Sequence, residues 1–187
     1  MHTSPNAPGP GRRAQTPRKP PPPLDIATLT AIAIRYVERF QTSRARLLRL
    51  LQQKLRQRGW EEGLPPPDLQ AIADRMVELG YVNDAAFAEA RTRGLTRRGM
   101  GAGRVRTSLA AYGIDNDTSS AALEGHDPLA AALDFARRKR LGPFGPPVTD
   151  PKLRNRQMGA MARAGHPQAL ARAILNARTK DELPQAE

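Results

Sequence analysis

Cysteine is absent from this chain of 187 residues. That excludes disulfides, thiolate zinc sites, iron–sulfur clusters and cysteine nucleophiles. Aromatic residues are scarce, with one Trp, three Tyr and four Phe. A core built mainly from Ala, Leu, Ile and Met suits packed small helices better than a sheet. So few rings also give little basis for a base-stacking platform. No apolar run approaches the roughly 18 residues needed to cross a membrane. The opening MHTSPNAPGPGRR lacks the apolar core of a signal peptide. A soluble, cytoplasmic protein is therefore expected.

Catalytic signatures are missing too. No G-x-x-x-x-G-K-[ST] stretch occurs, so nucleotide hydrolysis is not expected. His2, His126 and His166 are scattered, without the i, i+4 pairing of a helical zinc site. Glu61-Glu62 falls in a proline-bounded loop with no evident substrate pocket, and no Ser or Thr has a histidine base nearby in sequence. The expectation is a non-enzyme with no cofactor and no metal. Acids are outnumbered as well: Lys plus Arg count 30 against 18 Asp plus Glu, a formal charge of +12. Such an excess suits a polyanionic or acidic partner, because basic groups beside phosphates release condensed counterions. The alternative is a solvated surface that only keeps the protein soluble.

What is present is mostly helix. Residues 1–24 are the exception, with eight prolines in the first 23 and the run Pro20-Pro21-Pro22-Pro23. Proline offers no backbone donor and restricts its predecessor, so a disordered basic tail is expected there. Beyond it, Ile26, Leu29, Ala33, Val37 and Phe40 fall on one helical face, as do Leu69, Ile72, Ala73, Met76 and Val77. The same spacing links Leu129, Ala132, Leu133 and Ala136, and Leu170, Ala173, Ile174 and Ala177. Asp127-Pro128, Asp150-Pro151 and His166-Pro167 read as helix starts with proline in the first helical position. Gly59, Gly80, Gly99, Gly113 and Gly165 fall where helices should stop.

An internal repeat organises these segments. Three basic helices end in glycine: RARLLRLLQQKLRQRGW, GRVRTSLAAYGI and KLRNRQMGAMARAGH. Their glycines, Gly59, Gly113 and Gly165, are 54 and 52 residues apart, each preceded four residues earlier by Leu55, Leu109 or Met161. The pattern predicts an all-α fold: an elongated, curved tandem array of three three-helix repeats. Each unit is too small to bury much core alone, so neighbours must stack. The expected division is a tail over 1–24, repeats over 25–80, 81–125 and 126–180, and a disordered end over 181–187.

The stretch ELGYVNDAAFAEARTRGLTRRGMGAGRVRTSLAAYGI, Glu78 to Ile114, resembles the signature of the RecX family. It has in order a GY turn, an acidic start, an FA pair, a basic stretch, an RRG turn and a basic helix ending in G-I. AIRYVERFQTSRARL resembles the family's opening helix, and DPLAAALDFARRKRLG the start of its third repeat. The similarity runs from about Ile26 to Ala177. Two features depart from it: the helix from Ser43 to Gly59 is about four residues longer than the pattern, close to one turn, and the tail has no counterpart. The resemblance implies a regulator that binds the RecA filament on single-stranded DNA, touching the DNA directly or through the filament. It further implies restraint of ATP hydrolysis and strand exchange in recombination and DNA repair, by a monomer.

The residues themselves offer candidate contacts. On the helix after Ser43, Leu47, Leu48, Leu51 and Leu55 form an apolar face, and Arg46, Arg49 and Arg56 lie roughly opposite. Such a row matches a line of phosphates or acidic side chains. Arg97 and Arg98 end the next repeat's first helix, and Arg104 and Arg106 open its second, with Gly99, Gly101 and Gly103 between. Those glycines let backbone approach a partner closely. Arg97 and Arg98 suit either a partner or the C-terminal end of their own helix, and so does Arg138 in the cluster Arg137-Arg138-Lys139-Arg140. Tyr36, Trp60 and Phe87 read as packing groups. Two other functions fit the same composition: a general DNA-binding protein of helix-turn-helix type acting without RecA, and a helical scaffold whose charge serves solubility alone.

Overall fold

The computed structural model describes residues 21–185. Among them the chain forms nine α-helices: α1 Ile26–Val37, α2 Arg44–Arg58, α3 Leu69–Glu78, α4 Asp84–Thr96, α5 Ala102–Ala111, α6 Asn116–Ala121, α7 Pro128–Lys139, α8 Pro151–Arg163 and α9 Gln168–Asn176. A single 3-10 turn, Gly142–Phe144, separates α7 from α8. The only extended pairing among these residues is an isolated bridge between Leu24 and Trp60.

Short polar side chains start most of the helices. Asp25, Ser43, Asp68, Asn83, Asp115, Asp127 and Asp150 each accept a backbone N–H from the first turn, which satisfies a donor the helix cannot pair itself. Gly101 and Pro167 begin α5 and α9 without any such bond. Pro167 thus precedes its helix instead of opening it, unlike Pro128 and Pro151.

The helices close into triplets α1–α3, α4–α6 and α7–α9, and every substantial helix–helix contact lies within one triplet. Each triplet has its own core. Leu24, Leu29, Leu47, Leu51, Ile72 and Met76 fill the first. Ala88, Val105, Leu109, Ile114 and Leu123 fill the second. Ala132, Phe135, Ala136, Met161, Ile174 and Leu175 fill the third. Three small cores in series make an elongated tandem array, because no single core draws the chain into a sphere.

The expected faces hold in their centres and fail at their edges. Leu29, Ala33 and Val37 are buried, whereas Ile26 and Phe40 are about half exposed, since one opens α1 and the other lies past its end. Val77 is likewise 41% exposed on α3. The α9 stripe is Ala171, Ile174 and Leu175, while Ala173 faces out.

Both ends of the array depart from expectation. Leu24, placed in the tail from sequence, is fully buried. Its N–H donates to Gly59 and its carbonyl accepts from Glu61, which tie it beside the segment leaving α2. Arg58 holds the preceding Pro22 carbonyl through Nε and Nη2 at 2.9 and 2.7 Å. Residues 1–20 of the expected tail lie outside the described residues. At the other end, residues 181–185 form a turn: Leu183 packs on the third core, and Arg178 N–H donates to Glu182 at 2.7 Å. The expected disorder of 181–187 does not hold for that part, because Leu183 has apolar surface to bury.

Candidate partner-binding surface

The eight arginines singled out from sequence (Arg46, Arg49, Arg56, Arg97, Arg98, Arg104, Arg106 and Arg138) are all solvent-exposed. They differ in what else they do. Arg46 lies over the ring of Tyr112 in the next repeat, with its guanidinium carbon 4.9 Å from the centroid. Arg49 donates through Nη2 to the Ala111 carbonyl at 2.9 Å. Both therefore help join the first repeat to the second. With Tyr36, Gln53 and Tyr112 they line an open groove of about 440 Å³. Arg97 caps α4, bonding back to Arg93, and lines a hollow of about 290 Å³ beside Glu124 and His126.

The joint between the first two repeats is built from side chains. Ser43 caps α2 and its hydroxyl donates to the Tyr112 carbonyl. The Arg44 N–H donates to the Asp84 carboxylate at 2.8 Å, while its side chain reaches Asp74 at 2.6 Å. Arg44 lowers the Asp74 pKa by a hydrogen bond to its charged form. Within the second repeat Arg91 also lies over the Tyr112 ring, its guanidinium carbon 4.6 Å from the centroid, and Phe87 packs against the same ring at 5.0 Å.

The joint between the second and third repeats is built from backbone. Gly101 N–H donates to the Ala164 carbonyl at 2.9 Å, and Gly103 N–H to the Gly165 carbonyl at 3.1 Å. A Cβ on Gly99 would stand 2.7 Å from the Phe135 nitrogen, and one on Gly101 would strike the Gly165 carbonyl. The close backbone approach expected of these glycines is thus made by the chain's own third repeat. Two histidines, distant in sequence, are near neighbours here. His166 is 6% exposed, stacks on Phe135 at 5.4 Å and has no hydrogen-bond partner at either ring nitrogen. His126 has only a long contact, 3.4 Å, from Nδ1 to Thr96. Burial holds both imidazoles below the usual histidine range.

Charge is spread very unevenly along the array. Residues 25–80 carry nine Lys and Arg against seven acids, and residues 81–125 six against five. Residues 126–180 carry eleven against three, a net of +8 out of the chain's +12. Those three acids are all committed: Asp127 and Asp150 cap α7 and α8, and Asp134 pairs with Arg137 at 3.3 Å. Of the arginines expected to bind, only Arg138 belongs to this segment. The overlooked cations include Lys152, Arg154, Arg156 and Arg163 on α8, all exposed. A charge count by segment, instead of a search for clusters, is the signal that finds them.

The comparisons with known proteins agree on the family. The profile described as "RecX, second three-helix domain" matches residues 83–123, which span α4 to α6. A "Regulatory protein RecX" of Thermobifida fusca is 35% identical over 157 residues, covering 80% of this chain and 78% of that protein. One from Mycolicibacterium smegmatis is 33% identical, covering 77% and 78%. One from Myxococcus xanthus is 26% identical, covering 90% and 95%. Among solved structures, RecX from Lactobacillus salivarius superposes with a TM-score of 0.58 at 16% identity, over 82% of this chain and 96% of that one. A second RecX crystal structure gives 0.59 over 81% and 71%. At such identity the structures speak for the fold, and the sequence relatives speak for kinship: the chain belongs to the RecX family of regulatory proteins.

Proposed function

We propose that this protein regulates the RecA recombinase by binding the RecA–single-stranded DNA filament, restraining its ATP hydrolysis and strand exchange in recombination and DNA repair. Kinship to RecX regulators over most of their length is the observation that carries the reading. An extended array of small helical units with exposed cations from Arg56 to Arg178 suits a long, repetitive, acidic partner. The protein acts in the cytoplasm as a monomer and contributes binding alone. Arg56, Arg97, Arg98, Arg106 and Arg138 are the proposed contacts whose side chains hold no neighbouring repeat, while Arg104 lies against Gly165 of the third repeat. Arg46 and Arg49 serve the first joint as well, so replacing them perturbs the array and the contact surface together.

The test is the ATPase rate of RecA on single-stranded DNA, titrated with this protein. A fall in rate at substoichiometric amounts supports the proposal, because one bound regulator then affects many subunits. No effect, or an effect that vanishes whenever RecA is in excess, overturns it.

A further inference from the structure

We infer that this chain carries a self-docking surface: the exposed opening turn of α8 fits the Gly59–Glu62 turn of a second copy, and Pro22–Leu24 keeps that turn closed to it. The unaltered chain therefore stays a monomer.

Repetition of the joint is the first reason. In the second and third repeats, the turn that ends the middle helix seats on the opening turn of the preceding middle helix. A Cβ on Gly113 would strike the Ala45 side chain, and one on Gly165 the Arg104 backbone. Gly59 ends α2 in the same left-handed conformation, with φ +76 beside +75 and +86. Yet nothing lies within 4 Å of its Cβ position. In the third repeat the opposite half is bare, since every residue from Asp150 to Arg156 is exposed. Among the described residues, one copy thus presents both halves of a joint, each without its match. They lie in the two outer repeats of an elongated array and cannot meet within it. Between copies they form a head-to-tail contact that continues the stacking in register.

Charge is the second reason. Glu61 and Glu62 lie within three residues of Gly59, and both are exposed. The first two turns of α8 carry Lys152, Arg154 and Arg156, and no acid occurs anywhere on that helix. Leu153, 43% exposed, gives the turn an apolar centre. Acid against base favours contact between the unlike ends and disfavours contact between like ones.

The hold on the turn comes from the segment before α1. In the second joint the Gly165 carbonyl accepts from Gly103 of the preceding repeat at 3.1 Å. The equivalent Gly59 carbonyl accepts from Leu24 at 3.0 Å, and Leu24 in turn accepts from Glu61. A bond that an internal repeat gives to its neighbour is here taken by the chain itself. Leu24 is anchored by complete burial, and Arg58 grips the Pro22 carbonyl through Nε and Nη2. Lifting the segment sacrifices these bonds and exposes Leu24, so the turn is closed at rest.

The experiment is sedimentation velocity of the full chain over a concentration series, with helicity followed by circular dichroism. The variant Leu24→Ala/Arg58→Gln loosens the segment. It should self-associate at least about 10-fold more tightly than the unaltered chain, the weight of one lost hydrogen bond to a charged group. Charge reversal then tests which surfaces meet. On the loosened background, Lys152→Glu/Arg156→Glu alone should return monomers, and so should Glu61→Lys/Glu62→Lys alone. Mixing these two reversed proteins should restore association, because each supplies the end that the other's reversed end attracts. A loosened variant that stays helical and monomeric overturns the inference. So does association that survives either reversal, a mixture that remains monomeric, or an unaltered chain that associates as tightly as the loosened one. If Leu24→Ala costs helicity, Arg58→Gln alone decides, since it leaves the core untouched; monomers at every concentration overturn the inference there too.

Discussion

The two joints of the array share a register and differ in chemistry. In each, the turn after a middle helix docks on the opening turn of the middle helix before it: Tyr112-Gly113 on Ser43-Ala45, and Ala164-Gly165 on Gly101-Gly103. The first joint uses the Ser43 hydroxyl, the Arg46 cation over a ring and the Arg49 guanidinium on the Ala111 carbonyl, all of them side chains that can shift. The second uses main-chain bonds from Gly101 and Gly103 beside one buried and one partly buried histidine, with almost no freedom to yield. One packing solution can thus be adjustable at one place and rigid at another. That suits an array whose acidic-to-basic balance also changes at the second joint, from nearly neutral to strongly positive.

The largest expected effect tests that rigidity. Gly165 has φ +86, and a Cβ there would fall on the Arg104 backbone nitrogen. Gly125 has φ +73 with nothing within 4 Å, so it supplies the control for backbone strain alone. Gly125→Ala should cost about 1–2 kcal/mol from the left-handed conformation. Gly165→Ala should add about 1–3 kcal/mol for displacing main chain, a large share of a domain's total stability. Urea unfolding of both variants measures the difference. Equal midpoints would mean that the second joint is as forgiving as open solvent.

How much of this was legible in the sequence follows from range. Helix starts were readable because Asp127, Asp150 and Ser43 act within three residues. Helix stops were readable because Gly59, Gly113 and Gly165 take positive φ locally. The α9 face was misjudged by choosing Ala173 over Ala171, since alanine suits a buried or an exposed face equally. Exposure of Arg46 and Arg49 was readable from helical period. Their commitment to Tyr112 and Ala111 was not, because those partners are more than sixty residues away and no local pattern encodes them. The proximity of His126 to His166 was hidden for the same reason.

An intermediate effect is expected at the first joint, and here rescue is possible. A Cβ on Gly113 would strike the Ala45 side chain, not main chain. Gly113→Ala should therefore cost about 2 kcal/mol, mostly strain. Adding Ala45→Gly removes the obstacle while itself costing about 1 kcal/mol of helix propensity. A double-mutant cycle should show favourable coupling. Purely additive costs would show that the two residues do not meet. Ser43→Ala should cost about 1–2 kcal/mol, since the hydroxyl both caps α2 and holds Tyr112.

The smallest effect is nil at neutral pH and appears only in acid, where it separates the joints cleanly. Among the described residues, histidine occurs only at the second joint, as His126 and His166. Burial lowers both pKa values; Asp127 opposes this at His126 and Arg106 reinforces it, while at His166 the Gly99 backbone opposes it and His126 reinforces it. Arg93, Arg97 and Glu124 line the hollow beside His126, and Arg104 lies against Gly165. With the folded pKa below the unfolded value of 6.5, the unfolded chain binds more protons in the interval between them. Stability is therefore complete above pH 6.5 and declines as pH falls toward the folded values. The protection factors of the Gly101 and Gly103 amides, whose N–H groups bond across this joint, should fall between pH 7 and 5, so that their exchange slows less than the intrinsic rate does. Exchange at Leu47 and Leu51 in the first repeat should follow the intrinsic dependence alone. His166→Phe should abolish part of the acid sensitivity. An equal change at both joints would show that acid acts on the whole array and that the two imidazoles do not govern it.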